Sequence, residues 1–139
     1  MDKRIKPTDS PESRIELIRK LYDSTIDQDL YLDAYAEDLI WYAPKGRGVL
    51  MGEHHGRAYM DKAFSHVVAV TDEFDSYIGP DEILADDYDT VSFNRDFGTR
   101  KSDGVRFDFD VAIRWEIEGG QIKVMTEYIQ DEAHKAEFF

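Results

Sequence analysis

The alternation from Thr90 to Ile117 constrains this chain more than any other stretch. In TVSFNRDFGTRKSDGVRFDFDVAIRWEI the odd positions Val91, Phe93, Phe97, Phe107, Phe109, Val111, Ile113, Trp115 and Ile117 are apolar. Asn94, Asp96, Arg106, Asp108, Asp110, Arg114 and Glu116 fill even positions with polar groups. A period of two over this length marks strands half-buried on one side, because successive strand side chains point to opposite faces. Ser102-Asp103-Gly104 reads as a three-residue hairpin loop, with Gly104 at the position that needs positive φ. That loop pairs Lys101 with Val105, Phe97 with Phe109 and Arg95 with Val111. The register leaves Arg95 as a charge on the apolar face, where a charge needs a partner or a purpose.

The rest of the chain supplies what covers that face. Residues 1–10 read as a flexible tail that ends in Ser10-Pro11, a cap followed by proline at the first helical position. A first helix runs to about Ile26, its stripe of Ile15, Leu17, Ile18, Leu21, Tyr22 and Ile26 turned to a sheet. Asp29 caps a short second helix over Leu30 to Ala36. Asp38 to Pro44 is a first strand that the proline stops. Residues 45–56, KGRGVLMGEHHG, hold four glycines and read as a loop. A third helix spans about Arg57 to Ala69, with Met60, Phe64, Val67 and Val68 on one side. Residues 73–85 form a strand interrupted at Gly79-Pro80, and Gln121 to Gln130 form the last strand. The tail at 132–139 has no clear partner, so one domain occupies 11–131. Helices ahead of a mostly antiparallel sheet make the class α+β.

Composition excludes several functions. The 139 residues carry 17 Lys+Arg against 30 Asp+Glu, a net charge of −13, which argues against nucleic acid and anionic membrane as partners. There is no cysteine for disulfide or thiolate chemistry, and the four histidines have no zinc-site spacing, so neither metal nor cofactor is expected. Asp86, Asp87 and Asp89 lack the spacing of a calcium loop. No run approaches the ~18 apolar residues of a membrane helix, and the N-terminal segment lacks the apolar core of a signal peptide. The expected location is the cytoplasm.

Four local patterns carry a family resemblance: Asp29 after a helix containing Tyr22; Glu37-Asp38-Leu39-Ile40-Trp41 closed by Pro44; Gly52 with His55-Gly56-Arg57 opening a helix; and Gly120-Gln121-Ile122 followed by Glu127-Tyr128. Over residues 12–131 the chain resembles the nuclear-transport-factor-like superfamily, in its SnoaL-like and ketosteroid-isomerase-like branch. The resemblance implies a cone-shaped, curved, mixed and mostly antiparallel sheet packed by three N-terminal helices, a cystatin-like α+β barrel. It also implies a pocket for a small hydrophobic ligand, and a homodimer through the outer sheet face.

Similarity to ketosteroid isomerase places that enzyme's base at Ala43, its protonated acid at Val111 and its tyrosine nearest Leu21, with Tyr22 one residue off. None of those groups is present, so that isomerisation route is closed. Similarity to limonene epoxide hydrolase places its arginine at Arg95, its water-activating carboxylate at Glu127 and its acid at Phe97. Two of those roles are filled.

Arg95 and Glu127 are therefore the candidate catalytic pair, meeting inside the pocket with Glu127 as base; the structural alternative is a buried ion pair that only fixes the register. Candidate ligand contacts are Tyr22, Trp41, Phe64, Phe93, Phe97, Val111, Met125, Ile129 and, at the mouth, His54. The same apolar set serves equally as plain core. His55 reads as a structural hydrogen-bonding group, and His66 and His134 as surface. The expected function is a cofactor-independent isomerase, cyclase or hydrolase acting on a small hydrophobic molecule. The alternative is a non-catalytic ligand-binding or dimeric association module.

Overall fold

Ser10 opens the first helix as its chemistry dictates. Its hydroxyl oxygen accepts the Ser13 N–H at 3.1 Å, and Pro11 takes the first helical position, where no N–H is needed. The computed structural model describes residues 6–23, 32–72, 75–129 and 139. In it this helix, α1 (Pro11–Asp23), buries Arg14, Ile18 and Leu21 and leaves Ile15 half-buried. The sheet is formed by β1 (Tyr35–Tyr42), β2 (Glu53–His55), β3 (Pro80–Ala85), β4 (Thr90–Thr99), β5 (Arg106–Glu118) and β6 (Gln121–Ile129). The helix α2 (Arg57–Val70) sits between β2 and β3 in the chain. Strand order is β2-β1-β6-β5-β4-β3, with β1 and β6 parallel and every other pair antiparallel.

Several expectations change here. The described residues contain two helices, α1 and α2, where three were expected. Of the expected second helix, Tyr35 and Ala36 belong to β1, Leu32 and Asp33 are helical, and residues 30–31 lie outside the described set, as does Ile26. The glycine-rich loop contains β2, which pairs Trp41 with His54. Val68 points to solvent at 52% exposure, while Ala63 takes the buried place beside Met60. Pro80 begins β3 at the sheet edge, the position a residue without an N–H tolerates. Asp9, assigned to a loose tail, accepts the N–H groups of Gly119 and Gly120 at 3.0 and 2.8 Å. Phe139 packs edge-on against Phe107, with ring centres 5.4 Å apart; residues 132–138 lie outside the described set.

The largest correction is the hairpin register. Arg100 N–H donates to Val105 O at 2.8 Å, which leaves a four-residue loop, Lys101 to Gly104, with Gly104 at φ +72°. One extra loop residue shifts every pair by one, and a shift of one turns a whole strand over. Arg95 therefore faces Asp110, Phe97 faces Asp108, and Asn94 and Asp96 face Val111 and Phe109. The β5 half of the alternation keeps its expected face, with Phe107, Phe109, Val111, Ile113, Trp115 and Ile117 buried. The β4 half is inverted. Its inner residues are Thr90, Ser92, Asn94, Asp96 and Gly98, and Phe93 is 48% exposed on the outside.

A polar strand face can be buried only if its groups are bonded. Thr90 Oγ1 accepts from Arg14 Nη1 at 2.8 Å, Ser92 Oγ from Trp115 Nε1 at 2.9 Å, and Asn94 Nδ2 donates to the Tyr22 hydroxyl at 2.8 Å. A bulge at Lys123 in β6 lets Ile122 and Met125 both face inward, although they are three residues apart.

Gly98 ends this inner row beneath Ser76. A Cβ there would stand 2.2 Å from Ser76 Oγ and 2.9 Å from Ser76 Cα. Gly98→Ala should destabilise the fold by ~1–3 kcal/mol in urea titration, the usual cost of overpacking, with part recovered by Ser76→Gly in the double variant. A Gly98→Ala protein as stable as the parent would contradict this packing.

Candidate functional site

The inner sheet face and the two helices enclose a cavity of about 170 Å³. α1 contributes Leu21 and Tyr22, α2 contributes Met60, Ala63, Phe64 and Val67, and Leu50 comes from the glycine-rich loop. The sheet supplies Trp41, Phe107, Phe109, Val111, Ile113 and Met125, and Phe139 completes one side. Two carboxylates enter this apolar lining, Glu127 from β6 and Asp96 from β4.

Glu127 faces inward because it pairs with Ile113, and Trp41 faces inward because it pairs with Met125 two residues earlier on β6. That offset brings Trp41 Nε1 to Glu127 Oε1, where it donates at 2.7 Å. Trp41 is itself held from behind. The His54 ring lies 5.3 Å from it and stacks on Tyr59 at 3.8 Å and 7°, while the Tyr59 hydroxyl donates to Val49 O at 2.9 Å. His54 Nε2 is within hydrogen-bond distance of Met51 O. This chain of contacts orients one carboxylate oxygen of Glu127.

On β4, Asn94 and Asp96 are two residues apart on the inner face. Asn94 is 4% exposed, and its Oδ1 has no hydrogen-bond partner among the described residues, while its amide reaches Tyr22 at the cavity wall. A buried acceptor without a donor is rare in folded proteins and calls for a reason.

Comparison with solved structures finds the same arrangement of elements elsewhere. Bal32a, from a soil-derived mobile gene cassette, superposes with a TM-score of 0.81 at 23% identity, covering 94% of this chain and 98% of that one. An NTF2-like protein from Burkholderia xenovorans gives 0.76 at 19% identity over 93% and 97% of the two chains. The chain has the NTF2-like fold. TerC, crystallised with polyporic acid, gives 0.73 at 22% identity over 91% of this NTF2-like chain and 97% of its own. No protein-family model matches the sequence, and no curated protein does.

Within the NTF2-like scaffold the sequence candidates divide. Glu127, Tyr22, Trp41, Phe64, Val111 and Met125 line the cavity, and Ile129 packs against the same core. Arg95, Phe93, Phe97 and His54 do not line it. Arg95 lies on the outer face, where Nε and Nη2 donate to Asp108 at 3.2 and 2.8 Å; that hydrogen bond and then the charge of Asp108 hold its pKa above the ordinary value. Arg95 and Glu127 thus stand on opposite faces of the sheet and do not meet. Phe97 packs on Tyr77 at 5.7 Å, and His54 acts behind Trp41. His55 Nε2 is 3.0 Å from exposed Glu53 Oε2, and His66 accompanies Phe139.

Asp96, which lines the cavity, and Asn94, buried beside it on β4, are residues that alternation alone assigns to solvent. The signal for them was the loop: Arg100 and Asp103 form a doubly bonded pair at 2.9 and 2.7 Å across the turn, a clasp that suits four loop residues rather than three. Among the described residues, no cluster of His, Cys, Asp and Glu is arranged to hold a metal ion, and no helix is long and apolar enough to cross a membrane.

Proposed function

We propose that the cavity binds a compact, largely apolar molecule and that Glu127 acts on it as a base, in a cofactor-independent isomerase, cyclase or hydrolase. The observation that carries this reading is the Glu127 carboxylate at an aromatic cavity wall, with Oε1 fixed by Trp41 and Oε2 the natural place for proton or water chemistry. The cavity volume fits the reading, because a cavity of roughly 150 Å³ accepts a benzene-sized guest. Asp96 brings a second carboxylate from the side of β4, two inward rows from Glu127. Proton transfer between a carboxylate and a carbon or water requires no cofactor.

The deciding experiment is a turnover screen of compact cyclic ketones, enones and epoxides, run in parallel with Glu127→Gln. Product formed by the parent and lost in the variant supports the reading. Equal product from both, or none from either while a ligand still binds, favours a non-catalytic binding module of the same fold.

The outer face supports a second part of the reading, self-association. Phe93, Ala112 and Tyr128 form one cross-strand row there, and Phe93 and Tyr128 are 48% and 60% exposed. Two aromatic rings on one row of a sheet are typical of a surface that becomes buried. Phe93→Asp with Tyr128→Asp should shift a dimer to monomer in sedimentation velocity. An unchanged sedimentation coefficient would remove the dimer from the proposal.

A further inference from the structure

We infer that Phe139 sets the size of the ligand this cavity takes, limiting it to a single ring with small substituents. The inference rests on the reading of the cavity as a small-molecule site and names the residue that decides which molecules that site admits.

Phe139 is held as part of the cavity wall. Its ring meets Phe107 at 5.4 Å and Phe109 at 6.5 Å, edge to face in both cases, with interplanar angles of 65° and 64°. On the α2 side the His66 ring stands 6.3 Å away at 61°, and His66 Nε2 is 3.0 Å from Phe139 O, an oxygen that can only accept, so the imidazole N–H donates. Phe139 thus bridges the sheet wall and the helix wall.

Its place along β5 gives that ring a measuring role. The inner face of β5 runs through Phe107, Phe109, Val111 and Ile113, and Glu127 pairs with Ile113. Phe139 touches the opposite end of this row. A molecule engaged by Glu127 therefore extends toward Phe139 and must stop there.

The volume makes that stop decisive. With Phe139 in its wall the cavity holds about 170 Å³, and one benzene-sized guest takes a cavity of roughly 150 Å³. A fused second ring needs a wall to yield. Most lining residues belong to helices or strands, and the loop residues Leu50 and Ile78 are flanked by bonded backbone: Val49 O accepts from the Tyr59 hydroxyl at 2.9 Å, Gly52 N–H donates to Pro44 O at 2.9 Å, and Tyr77 exchanges two bonds with Phe97 at 2.7 and 2.9 Å. Phe139 lies in no helix or strand among the described residues. Its side chain, once truncated, vacates the space that a second ring would fill.

The test uses benzyl alcohol and 2-naphthalenemethanol, which share one hydroxymethyl group and differ by one fused ring. Dissociation constants come from ligand-observed NMR and calorimetry at pH 7. The parent should prefer benzyl alcohol, and Phe139→Ala should move the ratio about tenfold or more toward the larger alcohol, with Phe139→Leu between the two. Leucine keeps a side chain in the wall, so the comparison stands even where the alanine variant is unfolded. His66→Ala should give part of the same shift and His66→Gln, whose amide N–H can replace the imidazole donor, less of it. A parent that binds the naphthyl compound as tightly as benzyl alcohol overturns the size limit, and a ratio unmoved in both Phe139 variants overturns the assignment to Phe139; either result leaves the cavity reading standing. Should neither alcohol bind the parent or any variant, the small-molecule reading falls with it.

Discussion

Glu127→Gln is expected to lower turnover of any substrate found by a factor of ~10²–10⁴, the range a positioned general base supplies. The substitution is close to isosteric, and the glutamine carbonyl oxygen can accept the Trp41 N–H that Glu127 Oε1 accepts at 2.7 Å. Stability should therefore change by less than about 1 kcal/mol, because the hydrogen bond is weakened from charged to neutral and not removed. Measured together, kcat, KM and urea midpoint separate the two roles open to this residue. A base gives a collapsed kcat on an intact fold. An architectural carboxylate gives an unfolded or strongly destabilised protein, and undiminished kcat on an intact fold would place the base elsewhere. Trp41→Phe adds a graded test. It keeps the aromatic wall beside His54 and removes only the donor, so kcat should fall less than in Glu127→Gln while KM stays near its parent value.

Why Glu127 was legible in the sequence and Asp96 was not follows from how each is positioned. β6 alternates Met125, Glu127 and Ile129 against Val124, Thr126 and Tyr128, and the resemblance to ketosteroid isomerase turns the first set inward without any knowledge of a turn. β4 has no such arbiter. Val91, Phe93 and Phe97 alternate against Ser92, Asn94 and Asp96, and the apolar set loses because the loop has four residues rather than three. What makes the inversion affordable is spread across the chain: Arg14 from α1 for Thr90, Trp115 from β5 for Ser92, Tyr22 from α1 for Asn94. Those partners are 76, 23 and 72 residues away, beyond the reach of a local pattern. The α+β class and the aromatic wall of β5 rest on elements long enough to override such detail. The second helix and the start of β1 do not, because a stretch of alanine, tyrosine and leucine serves either state.

Arg14 shows the same limit from the side of the helix, and it carries the largest stability effect expected of any single change here. It is 1% exposed on α1, in line with Ile18 and Leu21, and its guanidinium reaches three neutral acceptors: Nε donates to Asp9 O at 3.2 Å, Nη1 to Thr90 Oγ1 at 2.8 Å, and Nη2 to Asp86 O. A charged residue at a core position reads in sequence as a break in the stripe. In the fold it is the clamp that joins the N-terminal arm, α1 and the β3–β4 turn. Arg14→Ala should cost ~3–5 kcal/mol, because it leaves a void and strips the donor from a buried hydroxyl and a turn carbonyl. Arg14→Met restores the volume but not the donors, so it should fall between alanine and the parent in urea titration. Arg14→Lys should not restore full stability either, since one ammonium cannot match the fork that spans Thr90 and Asp86. The same variants should loosen ligand binding, because α1 is what presents Leu21 and Tyr22 to the cavity. A cost below about 1 kcal/mol for Arg14→Ala would mean that the guanidinium is solvated and that Ile18 and Leu21 alone dock the helix.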